Sequence, residues 1–373
     1  MNIQREIKRK IYAKKHPFFI IVPLGLEKIA SEELTSFKIE HEIKKGGLLV
    51  NEKLDKLYEL NIRTRVATRI LMRISTFKAR FKSNLRKGIS DINWQLFLKK
   101  GCKISFVVSS KKSKLIHTGL ITEVLTKEIL KYSELNNLDY LVVKDKESQK
   151  IYLRLEDDKA TISIDSSGEI LHKRGYKKYS STAPIRENLA AAILLKYWDK
   201  NLTLLDPMTG SGTFSLEAYL IKKNIAPGIN RNFAFMNWSN FKEKSFNYLK
   251  RNLINEELDE SVDIESSDIS KETIEKAILN FKDFKKLDKP VVKDFFNITT
   301  DKKSGLIVLN LPYGKRITKN RTFYKKISDK LIKDFKGWNV LLLYPRDVTF
   351  PLKGEIMKIS NGGFLINLLF LKI

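Results

Sequence analysis

One ten-residue stretch, Leu204-Leu205-Asp206-Pro207-Met208-Thr209-Gly210-Ser211-Gly212-Thr213, constrains this chain more than any other. The apolar run Leu202 to Leu205, interrupted only by Thr203, predicts a buried strand that ends at a carboxylate. Two glycines follow, and Phe214 to Lys223 predicts an amphipathic helix. Strand, tight turn and helix make the first half of a nucleotide-binding βαβ unit. Its glycines let the backbone approach a ligand, and its helix start offers free N–H groups. The turn lacks a third glycine, since Ser215 stands there, and it lacks the Gly-Lys-Ser/Thr of a phosphate loop. With no Lys or Arg to meet phosphate, it suits an uncharged or cationic nucleoside better than a triphosphate. A purely structural strand-to-helix turn fits the same residues.

Further βα units follow in the same half. Ile264 to Asp268 predicts a strand ending in a carboxylate, and Asp268 there can accept ribose hydroxyls or cap the helix Lys271 to Phe281. Val291-Val292 leads to Asp294 and Phe295, a carboxylate for an adenine amino group and a ring to flank the base, or else a solvated turn. Leu306 to Leu309 runs into Asn310-Leu311-Pro312-Tyr313-Gly314. An amide oxygen, a proline-stiffened turn and an aromatic ring at a strand end can hold an exocyclic base amine. The bland alternative is a simple Asn-x-Pro turn. Val340 to Tyr344, then Glu355 to Ile359 and Phe364 to Leu371, complete the pattern. The expected fold is α/β, a mostly parallel sheet with helices on both faces and an antiparallel pair at its C-terminal edge.

The first half alternates strands and helices without any glycine-rich nucleotide loop, and predicts an α+β module that binds or positions. Residues 1–15 carry little pattern and read as a mobile arm. The chain holds 70 Lys and Arg against 43 Asp and Glu, a net charge of +27. That excess favours a polyanion, most often nucleic acid, although a lysine-rich background composition also produces it. Cys102 is the single cysteine, which excludes disulfides and cysteine-based zinc or iron–sulfur sites and fits a reducing cytosol. The four histidines have no metal-ligand spacing, so no metal is expected. The basic start before Phe18 lacks a cleavage site, and Gly363 to Leu371 is too short to span a bilayer. A cytoplasmic protein away from membranes is the expectation.

Asp-Pro-x-Thr-Gly-Ser-Gly-Thr followed by Asn-x-Pro-Tyr resembles class I S-adenosylmethionine-dependent amino-methyltransferases. Leu171 to Tyr176, Ala183 to Ala191, and the insert Asn224 to Trp238 narrow the likeness to the guanine-N2 methyltransferases of 23S ribosomal RNA. Gly25 to Lys28 and Lys114 to Gly119 are similar to that family's N-terminal ferredoxin-like segment and its THUMP RNA-binding domain. The resemblance implies a Rossmann-like methyltransferase domain over 183–373, a linker over 167–182, a THUMP domain over 45–166 and a ferredoxin-like segment over 1–44. Some members carry a second fused methyltransferase, for which this chain is too short. Asp206, Met208, Gly210 and Gly212 would line the methionine side of S-adenosylmethionine, with Thr209 and Thr213 counted in the same cofactor-binding turn. Asp268 would hold the ribose, Asp294 and Phe295 the adenine, and Asn310, Pro312 and Tyr313 the target guanine.

Two positions depart from the family: Leu311 replaces the first of two prolines, and Met236 stands where an acidic residue is usual. The Leu311 carbonyl survives, so activity is expected. Methylation at pyrimidine C5 needs a cysteine nucleophile, and the methyltransferase half has none. The partner implied is ribosomal RNA. Transfer RNA, an N6-adenine target, or a non-catalytic RNA-binding assembly factor are the rival readings.

Overall fold

A computed structural model describes residues 2–179, 185–311 and 321–373. They divide into two units: Met1–Val22, Glu33–Leu171 and Arg231–Arg251 form one, and Pro23–Glu32, His172–Asn230 and Asn252–Ile373 the other.

The first unit is built on an eight-stranded sheet. Its strands are β1 (His16–Ile21), β2 (His41–Lys44), β3 (Gly47–Glu52), β4 (Arg69–Lys78), β5 (Lys103–Lys111), β6 (Leu141–Val142), β7 (Gln149–Glu156) and β8 (Lys159–Asp165). They lie in the order β2-β3-β1-β4-β8-β7-β5-β6, antiparallel except where β5 pairs with β6 and β7. Period-two alternation buries one face: Phe18 and Ile20 on β1, Ile70 and Met72 on β4, Ile151 and Leu153 on β7, Ile162 and Ile164 on β8. The elements α1 (Ile3–Ile7), α2 (Glu27–Ser36), α3 (Leu54–Arg63), α4 (Lys82–Ser90) and α5 (Thr118–Leu135) come from the same half of the chain. The β7–β8 hairpin turns at Asp157-Asp158, both with positive φ (50° and 56°), as a two-residue primed turn requires. The expected mobile arm is instead ordered. Helix α1 continues through a wide π-type turn over Lys8–Tyr12, and Ile7 and Ile11 are buried. These two apolar residues four apart anchor it together with Asn93, which donates to Glu6 (2.7 Å), and the Tyr12 hydroxyl, which donates to the Asn240 carbonyl (3.1 Å).

Residues 231–251 belong to this unit and bring an aromatic cluster with them. Phe235 stacks on Tyr58 at 4.6 Å, with Phe241 and Phe246 around it. The buried Trp238 donates its indole N–H to the Gln149 side-chain oxygen (2.8 Å), and Asn240 donates to the Leu96 carbonyl (2.7 Å). The polar handle of the Trp238 ring is thus satisfied inside the core.

The second unit holds β9 (Thr203–Asp206), β10 (Ile264–Asp268), β11 (Val291–Val292), β12 (Gly305–Asn310), β13 (Asn339–Pro345), β14 (Glu355–Asn361) and β15 (Phe364–Lys372). Helices α6 (Glu187–Tyr197), α7 (Thr213–Lys222), α8 (Glu243–Asn255), α9 (Lys271–Phe281) and α10 (Arg321–Asp334) follow in chain order, α8 beginning in the first unit. The sheet order is β11-β10-β9-β12-β13-β15-β14. β9 to β13 pair in parallel, and β15 runs antiparallel to both β13 and β14. The expected antiparallel pair at the C-terminal edge is present. Strand β12 (Leu306 to Leu309) and β13 (Val340 to Leu343) are wholly buried, which is why they read as unbroken apolar runs rather than alternating ones. The strand order reverses between β9 and β12. In open parallel sheets ligands bind beyond the carboxyl ends of strands at that switch point.

Candidate functional site

At the carboxyl end of β9, Asp206 is 1% exposed and organises the glycine turn rather than pointing into solvent. Its Oδ2 accepts from Thr209 Oγ1 (2.8 Å) and Ser215 Oγ (2.7 Å), and Ser215 in turn accepts from Ser266 (2.7 Å). Burial, and then the nearby Asp268 charge, push the Asp206 carboxyl up to about 6, while the Ser215 and Thr209 hydroxyls oppose that rise. Gly210 and Gly212 have φ of 56° and 86°. Gly212 is doubly required, since a Cβ there would lie 2.2 Å from the Phe281 ring. The turn closes through the Gly212 N–H on the Thr209 carbonyl (2.8 Å), and Thr213 opens α7. Met208 packs partly buried against the core beneath β12 and β13.

Asp268, at the end of β10, reaches the same turn: its Oδ2 accepts the Gly210 N–H at 3.0 Å and its Oδ1 the Ser270 N–H at 3.0 Å. Ser270, whose Oγ accepts from the Thr273 N–H, caps α9, so the capping role open to Asp268 falls two residues later. Asp294 accepts the Phe296 N–H (3.0 Å) at the start of a 3₁₀ turn. The Phe295 ring is 3% exposed and packs in the core near Phe335, whereas Phe296 is 36% exposed. The open ring at this strand end is therefore Phe296, which the sequence pattern did not distinguish from its neighbour.

Asn310 ends β12. Its side-chain oxygen is buried and has no hydrogen-bond partner among the described residues. The Leu311 N–H bonds the Leu343 carbonyl (3.0 Å) and its side chain is fully buried, so the chain is held in sheet register directly after Asn310. Pro312 and Tyr313 lie outside the described residues. Strand pairing of Leu205 with Ile307 and of Asp206 with Ser266 sets Asp206, Asp268 and Asn310 at one edge of three adjacent strands. The Ser211 and Ser267 hydroxyls there are likewise buried without a partner among the described residues. Polar atoms left unmatched at a strand edge fit a polar ligand.

Sequence reasoning missed what braces this turn. Arg174 Nε lies 3.3 Å from Glu217 Oε1, which also accepts from the Tyr176 hydroxyl (2.7 Å). Lys177 donates to Thr213 Oγ1 (2.8 Å) and sits 3.5 Å from Glu187. Burial lowers the Lys177 pKa, and Glu187 resists the change. Asn280 donates to the Ser211 carbonyl (3.0 Å) and the Tyr179 carbonyl (2.8 Å). The signal was the run His172 to Tyr176, in which Arg174 is buried rather than solvated. Among the described residues no group of three or more His, Cys, Asp or Glu is placed to hold a metal ion. No helix among them is long and apolar enough to cross a membrane.

The strand order, the reversed switch point and the glycine turn braced by two strand-end carboxylates define a Rossmann-like α/β domain with its ligand turn after β9. Comparison with known proteins agrees. A family model described as RMKL-like, methyltransferase domain, matches residues 174–350, and one described as RlmL ferredoxin-like domain matches residues 17–71. “Putative RNA methyltransferase YpsC” of Bacillus subtilis is 31% identical, covering 88% of each chain. “Ribosomal RNA large subunit methyltransferase K/L” of Marinomonas is 28% identical over 92% of this chain, which spans 51% of that relative's length. The crystal structure of SMU.472, a methyltransferase-type protein complexed with SAH, superposes with a TM-score of 0.85 at 28% identity, covering 96% of this chain and 98% of that one. The chain belongs to the RMKL-like methyltransferase family and carries a ferredoxin-like N-terminal domain.

Proposed function

We propose that this protein transfers a methyl group from S-adenosylmethionine to the exocyclic 2-amino group of a guanosine in 23S ribosomal RNA. The observation that carries the reading is the buried, unmatched Asn310 oxygen at the end of β12, on the strand adjacent to the glycine turn after β9. In this reading the donor sits at that turn, and the SAH held by SMU.472 supports the donor's identity. The names of the K/L relatives support ribosomal RNA. Residues Asp206, Met208, Thr209, Gly210, Gly212 and Thr213 would hold the methionine side, Asp268 the ribose, and Asp294 with Phe295 and the open Phe296 the adenine. In this reading Asp206 acts mainly by shaping the turn, because its Oδ2 is already taken up by Thr209 and Ser215.

S-adenosylmethionine supplies an electrophilic methyl, so the protein's task is alignment. Guanine's 2-amino group is conjugated and weakly nucleophilic. Asn310 Oδ1 and the Leu311 carbonyl would accept hydrogen bonds from its two N–H groups and turn its lone pair toward the donor, while Tyr313 would stack on the ring. As the N–C bond forms the S–C bond would break, and one amine proton would pass to solvent. The base is reached single-stranded or flipped, because a paired base hides this amine. Residues 45–166 serve as the THUMP RNA-binding domain, and residues 167–182 join it to the methyltransferase domain.

The test is methyl transfer from labelled donor to total RNA of a strain lacking the gene, followed by identification of the labelled nucleoside. Label in N2-methylguanosine of large-subunit RNA is expected. Label in N6-methyladenosine would move the target base to adenine, the base named for a Listeria monocytogenes neighbour (25% identical, TM-score 0.86), “a predicted N6-adenine-specific DNA methylase”. Label confined to transfer RNA would move the substrate. Absence of donor binding by calorimetry, even at millimolar ligand, would leave a non-catalytic RNA-binding factor.

A further inference from the structure

The eight-stranded sheet buries only one of its faces in the core described above. The other face of β1, β4, β8, β7 and β5 is a concavity of about 900 Å³, with Phe19, Arg73, Val107, Tyr152, Arg154 and Lys111 among its lining. Pairing registers arrange this face in rows. Arg73, Ser163, Tyr152 and Val107 are cross-strand neighbours in one row; Thr76, Thr161, Arg154 and Ser109 form the next. Lys78, Lys159, Glu156 and Lys111 make a third. The first row sets the Tyr152 ring and Val107 beside a cation and a hydroxyl, the second sets Arg154 among three hydroxyls, and the third is charged throughout.

Charge is unevenly matched here. Lys44, Lys45, Arg73, Lys111, Arg154 and Lys159 line the concavity against Glu156 and Asp157 alone. Arg154 pairs with Glu156 (2.7 Å) and Lys44 with Glu42. Arg73 has no acidic partner among the described residues and lies over the Phe19 ring at 4.8 Å. Burial and the like charge of Arg154 both disfavour its cation. A guanidinium placed on an aromatic face next to a second arginine is complementary to phosphate. Phe19 and Tyr152 are partly open, and the strands carrying them are separated by two others, roughly 14 Å. That is the span of a few nucleotides. Stacking needs exposed base faces, which a duplex does not offer.

We propose that this open sheet face docks a single-stranded segment of the RNA substrate, with bases stacked on Phe19 and Tyr152 and phosphates met by Arg73, Arg154 and Lys111. The proposal rests on the reading of RNA as substrate and deepens it by naming the surface and the strandedness. Phe19 carries Arg73 on one side, so a base on this ring would be bordered by a fixed cation. Ser109, Thr161 and Ser163 offer hydroxyls to sugar and phosphate oxygens between the rings.

The experiment uses the full chain and a fluorescent single-stranded RNA of about 12 nucleotides, a length that covers such a platform. Anisotropy gives affinity across a salt series. Tyr152→Ala and Phe19→Ala should each weaken binding about tenfold, whereas Tyr152→Phe, which keeps the ring, should stay near wild type. Arg73→Gln and Arg154→Gln should each flatten the plot of log K against log salt by about 0.7, one phosphate contact on a single strand. The arginine variants and Lys111→Glu remove no core side chain, so they keep the test decisive if an aromatic variant fails to fold. Wild-type affinity and wild-type salt slope in all of them would overturn the proposal, as would equal, face-dependent binding of a duplex. Face-dependent capture of an acidic peptide with no RNA binding would assign the surface to a protein and also overturn it. The same variants are assayed for S-adenosylmethionine binding and RNA methylation. Methyl transfer by wild type with RNA binding unaffected by face variants sinks the platform alone. Face-dependent RNA binding without any transfer sinks the catalytic reading alone.

Discussion

The buried carboxyl of Asp206 gives a prediction whose size can be worked from its surroundings. Its pKa, pushed to about 6 from an ordinary 3.8, means the folded protein holds a proton more tightly there than the unfolded chain does. A difference of that size corresponds to about 3 kcal/mol at full ionisation. The sign follows: the proton stabilises the fold below the unfolded pKa, and that stabilisation is lost as pH rises through about 6. Asn is close in shape and cannot ionise, and its oxygen can still accept from Thr209 and Ser215. Relative to Asp206→Asn, wild type should therefore lose about 1.5 kcal/mol between about pH 5 and about pH 8. Urea denaturation of both proteins at several pH values, followed separately by near-ultraviolet and far-ultraviolet dichroism to expose any stepwise unfolding of the two units, measures the difference. A flat difference would show that Asp206 is solvated or compensated by a cation outside the turn. A wild type that gains on the variant with rising pH would refute the reasoning outright.

The other predictions concern single contacts. Asn310→Ala should abolish methyl transfer while leaving donor affinity within a few-fold by calorimetry; a large loss of donor binding would place Asn310 on the donor instead. Gly212→Ala meets both a left-handed φ and the Phe281 ring, so it should destabilise by about 2–4 kcal/mol, and an unchanged melting temperature would contradict the close approach. Trp238→Phe keeps the stacked cluster but removes the donor to Gln149, and should cost about 1–3 kcal/mol in denaturant titrations. A loss below measurement error there would mean that the Gln149 oxygen finds another donor.

Legibility followed periodicity. Helix α9, the strand over Ile264–Asp268 and the short Val291–Val292 strand fall where apolar spacing and β-branched residues put them. The antiparallel edge was readable because β14 and β15 flank a Gly-Gly turn, Gly362 and Gly363, both with positive φ. Helix α4 was not read. Its window Lys82–Ser90 offers only Leu85 and Ile89 as buried apolar positions, too few to raise a helical period above its polar residues. Helix α8 has a clear apolar face but follows an insert of irregular aromatics, and nothing local says that Phe233 to Phe246 cluster around Tyr58, far away in sequence.

The site was legible in its residues and less so in their duties. A carboxylate at a strand end reads as a ligand group, because outward-facing charge is the ordinary state of an aspartate. Asp206 instead satisfies two hydroxyls of its own turn, and Asp268 holds the Gly210 N–H as well as the Ser270 N–H. Both are tertiary facts that spacing along the chain cannot supply. Their consequence is physical: a turn with two glycines at positive φ would sample many conformers alone, and two carboxylates plus Asn280, Lys177 and Phe281 restrict it to one. Rigidity at that turn is what alignment chemistry requires, since a misplacement of about 1 Å is enough to slow an in-line transfer by orders of magnitude. The groups that set the rate therefore include residues with no reason to touch donor or base. Loosening Asn280 or Lys177 should then lower turnover of a bound donor more than donor affinity.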